Sequence, residues 1–355
     1  MTPSFTESGG WPGVLHSLLA GEHLSAKQAR GALAEVLNGS ATSAQLAAFI
    51  VALHMKGETV EEMSGLVQAM LDVAARVELP ATVEPIDTCG TGGSPLRRVA
   101  ACNVSTLAGF VVAGAEVPVC KHGNRASSST SGSADFLEAL GVAVDLGAEG
   151  VARCVADAGF GFCFAPRFHP AMRHAGPTRR ELGVPTVFNF LGPLANPAGV
   201  RRQVVGVSDP AMAEILMGVL VARGAQRALV VHGHDGLDEL TTTTTSSVLE
   251  LRDGEVRAST VDPSDLGIPR AEPSSIQGGD AKANLDLARR LLDGEHRPHR
   301  DLVLLNAAAG LVVAGVADDL ATGYEAAAAA VDDGAAARVV ERLVAVSQEA
   351  AASTS

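Results

Sequence analysis

Aromatic residues are scarce in this chain, since Phe, Trp and Tyr together make up only 3% of its 355 residues. A core with so few rings must be built from Ala, Val, Leu and Gly, whose small side chains favour close packing of helices on a sheet. Charged residues are also few, at 19%, and apolar residues reach 47%, which excludes a disordered chain. Because the length exceeds what one core organises, we expect an α/β protein of two domains.

The chain also lacks a basic surface. Its formal net charge is -13, and Lys and Arg cluster only in pairs such as Arg179-Arg180. Such an acidic chain repels nucleic acid and anionic lipid, so neither nucleic acid nor a membrane is expected as a partner. If the protein binds phosphate, a small local group of residues must do so.

No Cys-x-x-Cys pair occurs among the five cysteines, which lie among apolar or small neighbours. Buried free thiols in a reducing compartment are therefore expected, rather than metal ligands. A signal peptide is not expected, because no basic segment followed by an apolar run opens the chain. The most apolar stretch, residues 302–316, is interrupted by Asn306 and is shorter than a membrane span. We predict a soluble, cytoplasmic protein.

Residues 1–80 are predicted to form a helical domain. Apolar residues recur at helical spacing in four segments, and Ser25, Ser43 and Thr59 are predicted to begin the second, third and fourth of them. The region contains no pattern typical of a strand.

Residues 81–355 are predicted to form an α/β domain around a mostly parallel sheet. Strands separated by helical segments are expected at 83–87, 117–120, 143–146, 160–164, 204–207 and 228–231. Asp253-Gly254 lies between two further strand-like runs and predicts a hairpin, which gives the sheet an antiparallel edge. The Ala-rich end of the chain predicts a final helical region.

Three polar segments follow predicted strands and do not suit a core. The first is Asp-Thr-Cys-Gly-Thr-Gly-Gly-Ser at 87–94, after which Asn-Val-Ser-Thr at 103–106 opens an apolar helix. Glycines let backbone N–H groups turn toward an anion, and polar side chains at a helix N-terminus cap the helix and bind anions. A tight turn followed by an ordinary cap is the alternative for either motif alone.

The second and third segments add charge. Lys-His-Gly-Asn-Arg-Ala-Ser-Ser-Ser at 121–129, followed by Ser-Gly-Ser-Ala-Asp at 131–135, suits a polyphosphate at the carboxyl edge of a sheet, with a Ser-rich linker as the alternative. His-Gly-His-Asp-Gly-Leu-Asp-Glu at 232–239 ends in adjacent carboxylates, Asp238 and Glu239. This pair suits Mg²⁺ beside a phosphate, with a solvated acidic turn as the alternative.

In this order, the three segments resemble the anthranilate phosphoribosyltransferase family over nearly the whole chain. The runs Phe-Ala-Pro at 164–166, Pro-Thr-Arg-Arg at 177–180 and Phe-Asn-Phe-Leu-Gly-Pro-Leu-Ala-Asn-Pro at 188–197 are similar to that family as well. The resemblance implies a small helical domain beside a large α/β domain, the fold shared with pyrimidine nucleoside phosphorylases. It also implies that about residues 170–183 pack back onto the helical domain, and that the chain forms a homodimer through that domain.

The activity that the resemblance implies belongs to tryptophan biosynthesis. It is the Mg²⁺-dependent transfer of phosphoribosyl from phosphoribosyl pyrophosphate (PRPP) to the amine of anthranilate. PRPP binding is implied for Gly90, Gly93, Ser94, Asn103, Val104, Ser105, Thr106, Lys121, Asn124, Arg125, Ala126, Ser127, Ser128, Ser129 and Ser133. Anthranilate binding is implied for Gly90, His122, Asn124 and Arg179. Mg²⁺ binding is implied for Ser105, Asp238 and Glu239. Catalytic roles are implied for Lys121, Asp238 and Glu239.

The Gly-rich loop departs from the family's pattern. Ser94 stands where the family has Asp, Ala101 stands where it has Thr, and the loop is about three residues longer. Arg97 and Arg98 lie in this loop, and we expect them to neutralise donor phosphate in compensation. The alternative is that both arginines point into solvent.

Neither a covalent nucleophile nor a general base is expected, because the amine of anthranilate is already neutral and nucleophilic. Three alternatives stay open on the sequence alone. They are a phosphoribosyltransferase with a different aromatic acceptor, a pyrimidine nucleoside phosphorylase, and a catalytically silent paralogue that acts by binding.

Overall fold

The computed structural model describes residues 4–92, 102–126 and 131–354. Its helices are α1 Gly10–Leu19, α2 Ala26–Leu37, α3 Ser43–Lys56, α4 Val60–Asp72, α5 Val104–Gly114, α6 Ser133–Ala139, α7 Ala148–Ala158, α8 Ala165–Phe168, α9 Gly176–Leu182, α10 Phe188–Leu194, α11 Ala213–Ala222, α12 Ala281–Leu292, α13 Pro298–Ala314, α14 Leu320–Asp332 and α15 Ala335–Thr354. Its strands are β1 Ile86–Gly90, β2 Val119–Gly123, β3 Phe160–Phe164, β4 Arg202–Gly206, β5 Arg227–Gly233, β6 Ser246–Arg252 and β7 Glu255–Val261.

Helices α2, α3 and α4 each begin at a side-chain cap. The hydroxyls of Ser25, Thr42 and Thr59 each accept a hydrogen bond from the backbone N–H three residues on. The side chain at that third position in turn accepts one from the backbone N–H of the cap residue. The predicted starts at Ser25 and Thr59 are confirmed. The predicted cap at Ser43 is wrong by one residue, because the Thr42 hydroxyl is the one that accepts from the backbone of Gln45.

The sheet has the order β3-β2-β1-β4-β5-β6-β7. Strands β1 to β5 run parallel, whereas β6 and β7 continue the sheet antiparallel. Asp253 and Gly254 join β6 to β7 with φ values of 53° and 80°. Positive φ at both positions is what a two-residue hairpin turn of type I′ requires. The predicted mostly parallel sheet and its antiparallel edge are confirmed.

Side chains along the central strands alternate between two hydrophobic cores on opposite faces of the sheet. Val204 and Val231 belong to one core, whereas Val205 and Val230 belong to the other. The second core also contains the buried residues of α1 to α4, among them Leu33. The helical bundle therefore shares a core with this face of the sheet, and its helix α4 packs against α10 and α11.

The segment between α8 and α10 packs on the bundle. A 3₁₀ helix at Pro170–His174 contacts α2, and α9 contacts α3. Between them, Ala175 is fully buried in the core that the bundle shares with the sheet. The position of Arg179 on α9 is therefore set by contacts with the bundle.

The predicted strand at 143–146 is wrong. These residues form an extended connection between α6 and α7, and they pair with no strand of the described sheet. The N–H of Ala143 donates to the hydroxyl of Ser347 on α15 at 3.1 Å, while Val144 and Leu146 fill the core. Hydrophobic periodicity does not distinguish such a short buried connection from a strand.

All five cysteines are buried and free, namely Cys89, Cys102, Cys120, Cys154 and Cys163. The sulfur atoms of Cys120 and Cys163 lie 3.6 Å apart on neighbouring strands. Burial raises the pKa of the Cys89 thiol well above its ordinary value, with Asp87 adding to the effect. The prediction of buried free thiols is confirmed.

The most apolar stretch of the sequence forms α13, which packs against α5 and α14. Its side chains are almost all buried, including Asn306. Within the described parts of the chain, no helix combines the length and the apolar character that crossing a membrane requires.

Candidate active site

Four parallel strands end at a glycine on one edge of the sheet. Gly90, Gly123, Gly206 and Gly233 are the last residues of β1, β2, β4 and β5. The carboxyl edge of a parallel sheet is where open α/β folds bind ligands. The three polar segments predicted from the sequence all leave the sheet at this edge, so the fold brings them together.

Asp238 packs directly against the glycines of this edge. Its Oδ2 accepts a hydrogen bond from the N–H of Gly92 at 2.9 Å. A Cβ atom on Gly90 would lie 2.2 Å from the same oxygen, and one on Gly206 would lie 1.7 Å from the carbonyl oxygen of Asp238. A side chain at Gly206 would therefore displace backbone and one at Gly90 would displace the Asp238 carboxylate, so the third polar segment is packed closely against the first.

Asp235 shapes the loop that carries the two adjacent carboxylates. Its Oδ2 accepts hydrogen bonds from the hydroxyls of Thr241 and Thr243, each at 2.5 Å. Asp238 and Glu239 are buried, with exposed fractions of 0% and 3%. The alternative of a solvated acidic turn is therefore wrong.

Lys121 is a buried cation that joins β2 to β1 and α5. Its Nζ donates to Ser105 Oγ at 3.2 Å and to the carbonyl oxygen of Thr88. The hydroxyl of Thr88 in turn donates to the carbonyl of Ser105 at 2.8 Å. Two predicted donor-binding residues, Lys121 and Ser105, therefore meet in the first turn of α5, where the helix dipole favours an anion.

Asn103 precedes α5, but its side chain does not cap the helix, contrary to the sequence prediction. Its Nδ2 donates to the carbonyl of Ser131 at 3.3 Å, and its Oδ1 accepts from Asn284 Nδ2 at 3.3 Å. The next residues, Val104 and Thr106, are buried, and the Thr106 hydroxyl has no hydrogen-bond partner among the described residues. Asn103 thus connects the start of α5 to Ser131 in the second polar segment and to Asn284 on α12.

Asp87 is a fully buried carboxyl group beneath the site. Asn196 Nδ2 donates to its Oδ2 at 2.8 Å, and the N–H of His122 donates to its Oδ1 at 3.3 Å. Burial raises the pKa of Asp87 to about 6, although Lys121 and these hydrogen bonds act in the opposite direction. Asp87 therefore joins β1 and β2 to the chain that follows α10.

A cavity of about 510 Å³ opens beside these residues. Its walls come from β1, β2 and the chain from α8 to α10, and its volume suits a small molecule. All four residues implied for anthranilate binding line it, namely Gly90, His122, Asn124 and Arg179. The structure therefore brings the predicted acceptor residues together in one place.

His122 is a neutral imidazole in the wall of this cavity. Burial lowers its pKa to about 3, and the nearby His169 and Lys121 contribute. Its Nδ1 lies 2.9 Å from the carbonyl oxygen of Gly192, so the N–H is on Nδ1. Because Nε2 then has a lone pair and no hydrogen-bond partner among the described residues, it is available to accept one.

Arg179 is held over an aromatic ring on the other side of the cavity. Its guanidinium carbon lies 5.2 Å from the ring centroid of Phe188. Burial lowers its pKa, yet a guanidinium stays charged at neutral pH. Among the described residues, no carboxylate pairs with it. Its planar set of N–H donors is therefore available for an acidic ligand.

Arg125 is paired with acidic side chains of α6. Its guanidinium pairs with Asp135 at 3.1 Å and with Glu138 at 2.5 Å, and it lies 5.4 Å from the ring centroid of Phe164. The N–H of Ala126 also donates to Asp135. The Arg125 side chain is therefore engaged by the acids of α6, which leaves the Lys121 ammonium as the cation beside Ser105.

Ser133 lies close to the end of β2, since its Oγ is 3.0 Å from where a Cβ on Gly123 would stand. Asn124 is exposed, and its carbonyl accepts from the N–H of Ala134 at 3.2 Å. Several predicted residues lie outside the described part of the chain, namely Gly93, Ser94, Arg97, Arg98, Ala101, Ser127, Ser128 and Ser129.

The oxygen ligands at the sheet edge fit Mg²⁺ only together with a substrate. Asp238 and Glu239 are adjacent buried carboxylates, and Asp238 meets the Gly-rich loop there. Across residues 4–92, 102–126 and 131–354, no three His, Cys, Asp or Glu side chains form a metal site by themselves. Magnesium commonly takes one or two protein carboxylates and completes its shell with water and substrate phosphate.

Comparison with known proteins identifies the family. Residues 12–74 match the helical bundle domain, and residues 82–337 the a/b domain, of the glycosyl transferase family. The chain is 53% identical over 343 residues to the anthranilate phosphoribosyltransferase of Salinispora arenicola, covering 95% of this chain and 96% of that one. The chain belongs to the anthranilate phosphoribosyltransferase family.

Solved structures of this family have the same fold. The enzyme of Thermus thermophilus has a TM-score of 0.88 and 40% identity, covering 94% of this chain and 99% of that one. The Saccharomyces cerevisiae enzyme in complex with PRPP and Mg has a TM-score of 0.86 and 27% identity, covering 96% and 98%. The same yeast enzyme in complex with 4-fluoroanthranilate has a TM-score of 0.86 and 25% identity, covering 97% and 99%.

Sequence reasoning gave no role to several residues of this site. Asp87, Asn196 and Phe188 lay within the quoted motifs without a function, and Asp235 stood beside the predicted metal ligands. Each forms a contact that depends on a residue far away in sequence or on a loop conformation. A carboxylate beside Ile86 in a strand-like apolar run was the available signal for Asp87.

Proposed function

We propose that this chain transfers the phosphoribosyl group of PRPP to the amine of anthranilate, which releases pyrophosphate and forms N-(5-phosphoribosyl)anthranilate in tryptophan biosynthesis. One juxtaposition carries the proposal. A buried cation, Lys121, and buried carboxylates, Asp238 and Glu239, occupy the sheet edge, next to a cavity that presents Arg179. The membership of the family supports it.

The donor end of the reaction depends on Lys121, Ser105 and the first turn of α5. As the bond from the anomeric carbon to pyrophosphate breaks, negative charge grows on the leaving oxygen and positive charge on the sugar. Lys121 and the N–H groups of the Gly-rich loop stabilise the leaving group, which is where fixed charges lower a barrier most. Mg²⁺, when held by Asp238 and Glu239 with Ser105, supplies further neutralisation of the pyrophosphate.

The acceptor end depends on orientation rather than on a nucleophilic side chain. Arg179 pairs with the carboxylate of anthranilate through its planar donors. Asn124 and the neutral His122 line the same cavity, where His122 accepts a hydrogen bond from the amine. The amine lone pair then attacks the anomeric carbon, and the amine loses its proton once the N–C bond has formed.

The remaining predicted donor residues complete this assignment. We assign Gly90, Asn103, Val104, Thr106, Asn124, Ala126 and Ser133 to the PRPP site together with Gly93, Ser94 and the serines at 127–129. The backbone of Arg125 is included, while its side chain holds the loop through the acids of α6.

Anthranilate fluorescence tests the proposal. The signal should fall only when enzyme, PRPP and Mg²⁺ are all present, with one pyrophosphate released for each anthranilate consumed. Substituted aryl amines in the same assay identify a different acceptor, and a pyrimidine nucleoside with orthophosphate tests the phosphorylase alternative. If no pair of substrates turns over, the protein is a silent paralogue and the proposal is wrong.

We propose that the chain divides at residues 1–80 and 81–355 and forms a homodimer through the first part. Leu19 on α1 and Met55 on α3 support this, since they are 80% and 83% exposed on neighbouring helices of the bundle. Replacing both by Glu should give a monomer in light scattering. The five free thiols suit a reducing compartment, so we place the protein in the cytoplasm.

A further inference from the structure

Asn306 is the one polar residue between Leu302 and Ala314, in the most apolar part of the sequence. Its side chain is buried inside α13, where an amide destabilises the fold unless its hydrogen bonds are satisfied. Its Oδ1 accepts from the N–H of Leu240 at 3.0 Å, and its Nδ2 donates to the carbonyls of Leu240 at 2.8 Å and Leu302 at 2.9 Å. One side chain thus binds both backbone groups of a residue that is distant in sequence.

Leu240 directly follows the two carboxylates of the sheet edge. Its side chain is fully buried, so a change at its backbone is not absorbed by a mobile loop. Asp235 holds the same loop through the hydroxyls of Thr241 and Thr243, and the Asp238 carboxylate meets Gly92. Asn306 holds the peptide groups between these two attachments.

An apolar side chain at this position would be compatible with the buried helix α13, but it could not form the hydrogen bonds to the loop. Leucine in place of Asn306 would leave the N–H and carbonyl of Leu240 without these hydrogen bonds, which is costly for buried backbone groups. The amide therefore serves the loop rather than its own helix.

We propose that Asn306 is a positioning residue for Asp238 and Glu239. It fixes the peptide groups of Leu240 and so keeps both carboxylates in place for the metal and the donor. The inference rests on the proposed function, because it assigns Asn306 to the metal-binding side of that site. Groups that orient metal ligands commonly change metal affinity by about 10- to 100-fold when they are removed.

Two variants and one control test the proposal. Asn306→Ala removes all three hydrogen bonds, whereas Asn306→Asp keeps the shape and the acceptor for the Leu240 N–H but loses the two donated bonds. Val312→Ala removes buried volume from the same helix about 9 Å further along, at about 1.5 Å per residue. The control therefore reproduces a loss of stability without touching the loop.

The expected results separate positioning from stability. In Asn306→Ala, the Mg²⁺ concentration for half-maximal rate should rise at least about tenfold, while the KM for anthranilate stays within about twofold. Calorimetric affinity for PRPP in Mg²⁺ should fall by a similar factor. In metal-free protein, hydrogen exchange of the peptide that contains Leu240 should accelerate in both Asn306 variants, because Asn306→Asp places a carboxylate oxygen against the carbonyls of Leu240 and Leu302 in place of a donor. Asn306→Asp should therefore also raise the Mg²⁺ concentration for half-maximal rate. Val312→Ala should change only the melting temperature.

Three outcomes would count against the proposal. Wild-type Mg²⁺ dependence and PRPP affinity in both Asn306 variants would make Asn306 a structural residue only, and so would an equal shift in Val312→Ala. If Asn306→Ala does not fold, Asn306→Asp decides the question. A wild-type enzyme that turns over fully in excess chelator would overturn the metal assignment and this proposal together, whereas a metal-dependent wild type with unshifted variants overturns the proposal alone.

Discussion

The ammonium of Lys56 lies 2.9 Å from the carboxylate of Glu62, and both side chains are almost completely buried. Glu62 also accepts hydrogen bonds from the N–H groups of Leu24 and Thr59. This carboxylate therefore joins the ends of α2, α3 and α4, and the bundle depends on it.

Removing Glu62 should destabilise the protein strongly. Glu62→Ala leaves the Lys56 charge buried without its partner, which costs about 3–5 kcal/mol in other proteins. Urea denaturation followed by circular dichroism measures the loss. Asp72→Ala breaks the exposed pair with Arg30 and should cost at most about 1 kcal/mol, so equal losses in the two variants would contradict this view.

Arg179→Ala should raise the KM for anthranilate at least about tenfold, because its proposed partner is the carboxylate of the acceptor. The KM for PRPP should change little. Arg179→Lys keeps the charge but loses the planar donors and the stacking on Phe188, so its effect should be intermediate. Steady-state kinetics with each substrate varied provides the measurement. A change confined to PRPP would mean that the acceptor site is placed wrongly.

Asp238→Asn combined with Glu239→Gln should lower kcat at least about 100-fold. The amides keep the shapes of both side chains, and the amide oxygen introduced at position 238 remains able to accept from the Gly92 N–H, so the far-UV circular dichroism should not change. Turnover and Mg²⁺ dependence are the readouts. A double variant with normal activity would exclude a metal role for this pair.

Gly206→Ala should impair the reaction without altering any charged group. Its Cβ would lie 1.7 Å from the Asp238 carbonyl, so the backbone of the loop that carries Asp238 and Glu239 must move. We expect kcat to fall at least about tenfold, since small displacements of reacting groups have large effects. Gly147→Ala is the matched control, because its Cβ would meet nothing closer than 3.8 Å. Equal activities in the two variants would contradict the close approach.

Stability should depend on pH through His122. Its pKa is about 3 in the folded protein and about 6.5 in the unfolded chain. Its contribution to the free energy of unfolding is therefore complete above about pH 6.5 and is lost as the pH falls from about 6.5 toward about 3. In this window, one such histidine lowers the free energy of unfolding by about 1.4 kcal/mol for each unit by which the pH falls. His122→Gln, whose amide still donates to the Gly192 carbonyl, should reduce the slope by that amount between pH 6 and pH 5 in urea titrations. An unchanged slope would show that His122 is protonated in the folded protein.

Sequence reasoning was most successful where a local pattern decides the structure. The capping hydroxyls of Ser25 and Thr59 act on N–H groups three residues away, and Asp253-Gly254 has the positive φ values of its turn. The strands beside the polar segments were found for the same reason, although the first was predicted at 83–87 and lies at Ile86–Gly90, and the other two continue into the polar segments. Their buried β-branched runs end at glycines that were visible in the sequence.

Sequence reasoning failed where the partner of a residue is distant. Asn306 and Leu240 are 66 residues apart, and Asp87 and Asn196 are 109 apart, so no local period connects them. The run at 143–146 resembled a strand because Val144 and Leu146 are apolar. They are apolar because they are buried in the core, and not because the segment pairs with a strand. The ion pairs of Arg125 with the acids of α6 were likewise not predicted, and its role at the donor stays a prediction.

The hydrophobic core that continues from the bundle into the sheet limits how this protein can be dissected. A fragment ending after α4 would expose bundle residues that now share one core with α10, α11 and the side chains of Val205 and Val230. Sequence families divide the chain into two modules, but the energetics do not follow that division. The bundle should therefore be exchanged and unfolded together with the part of the α/β domain that shares its core. Chimeras made at this boundary must take both sides of that core from one parent.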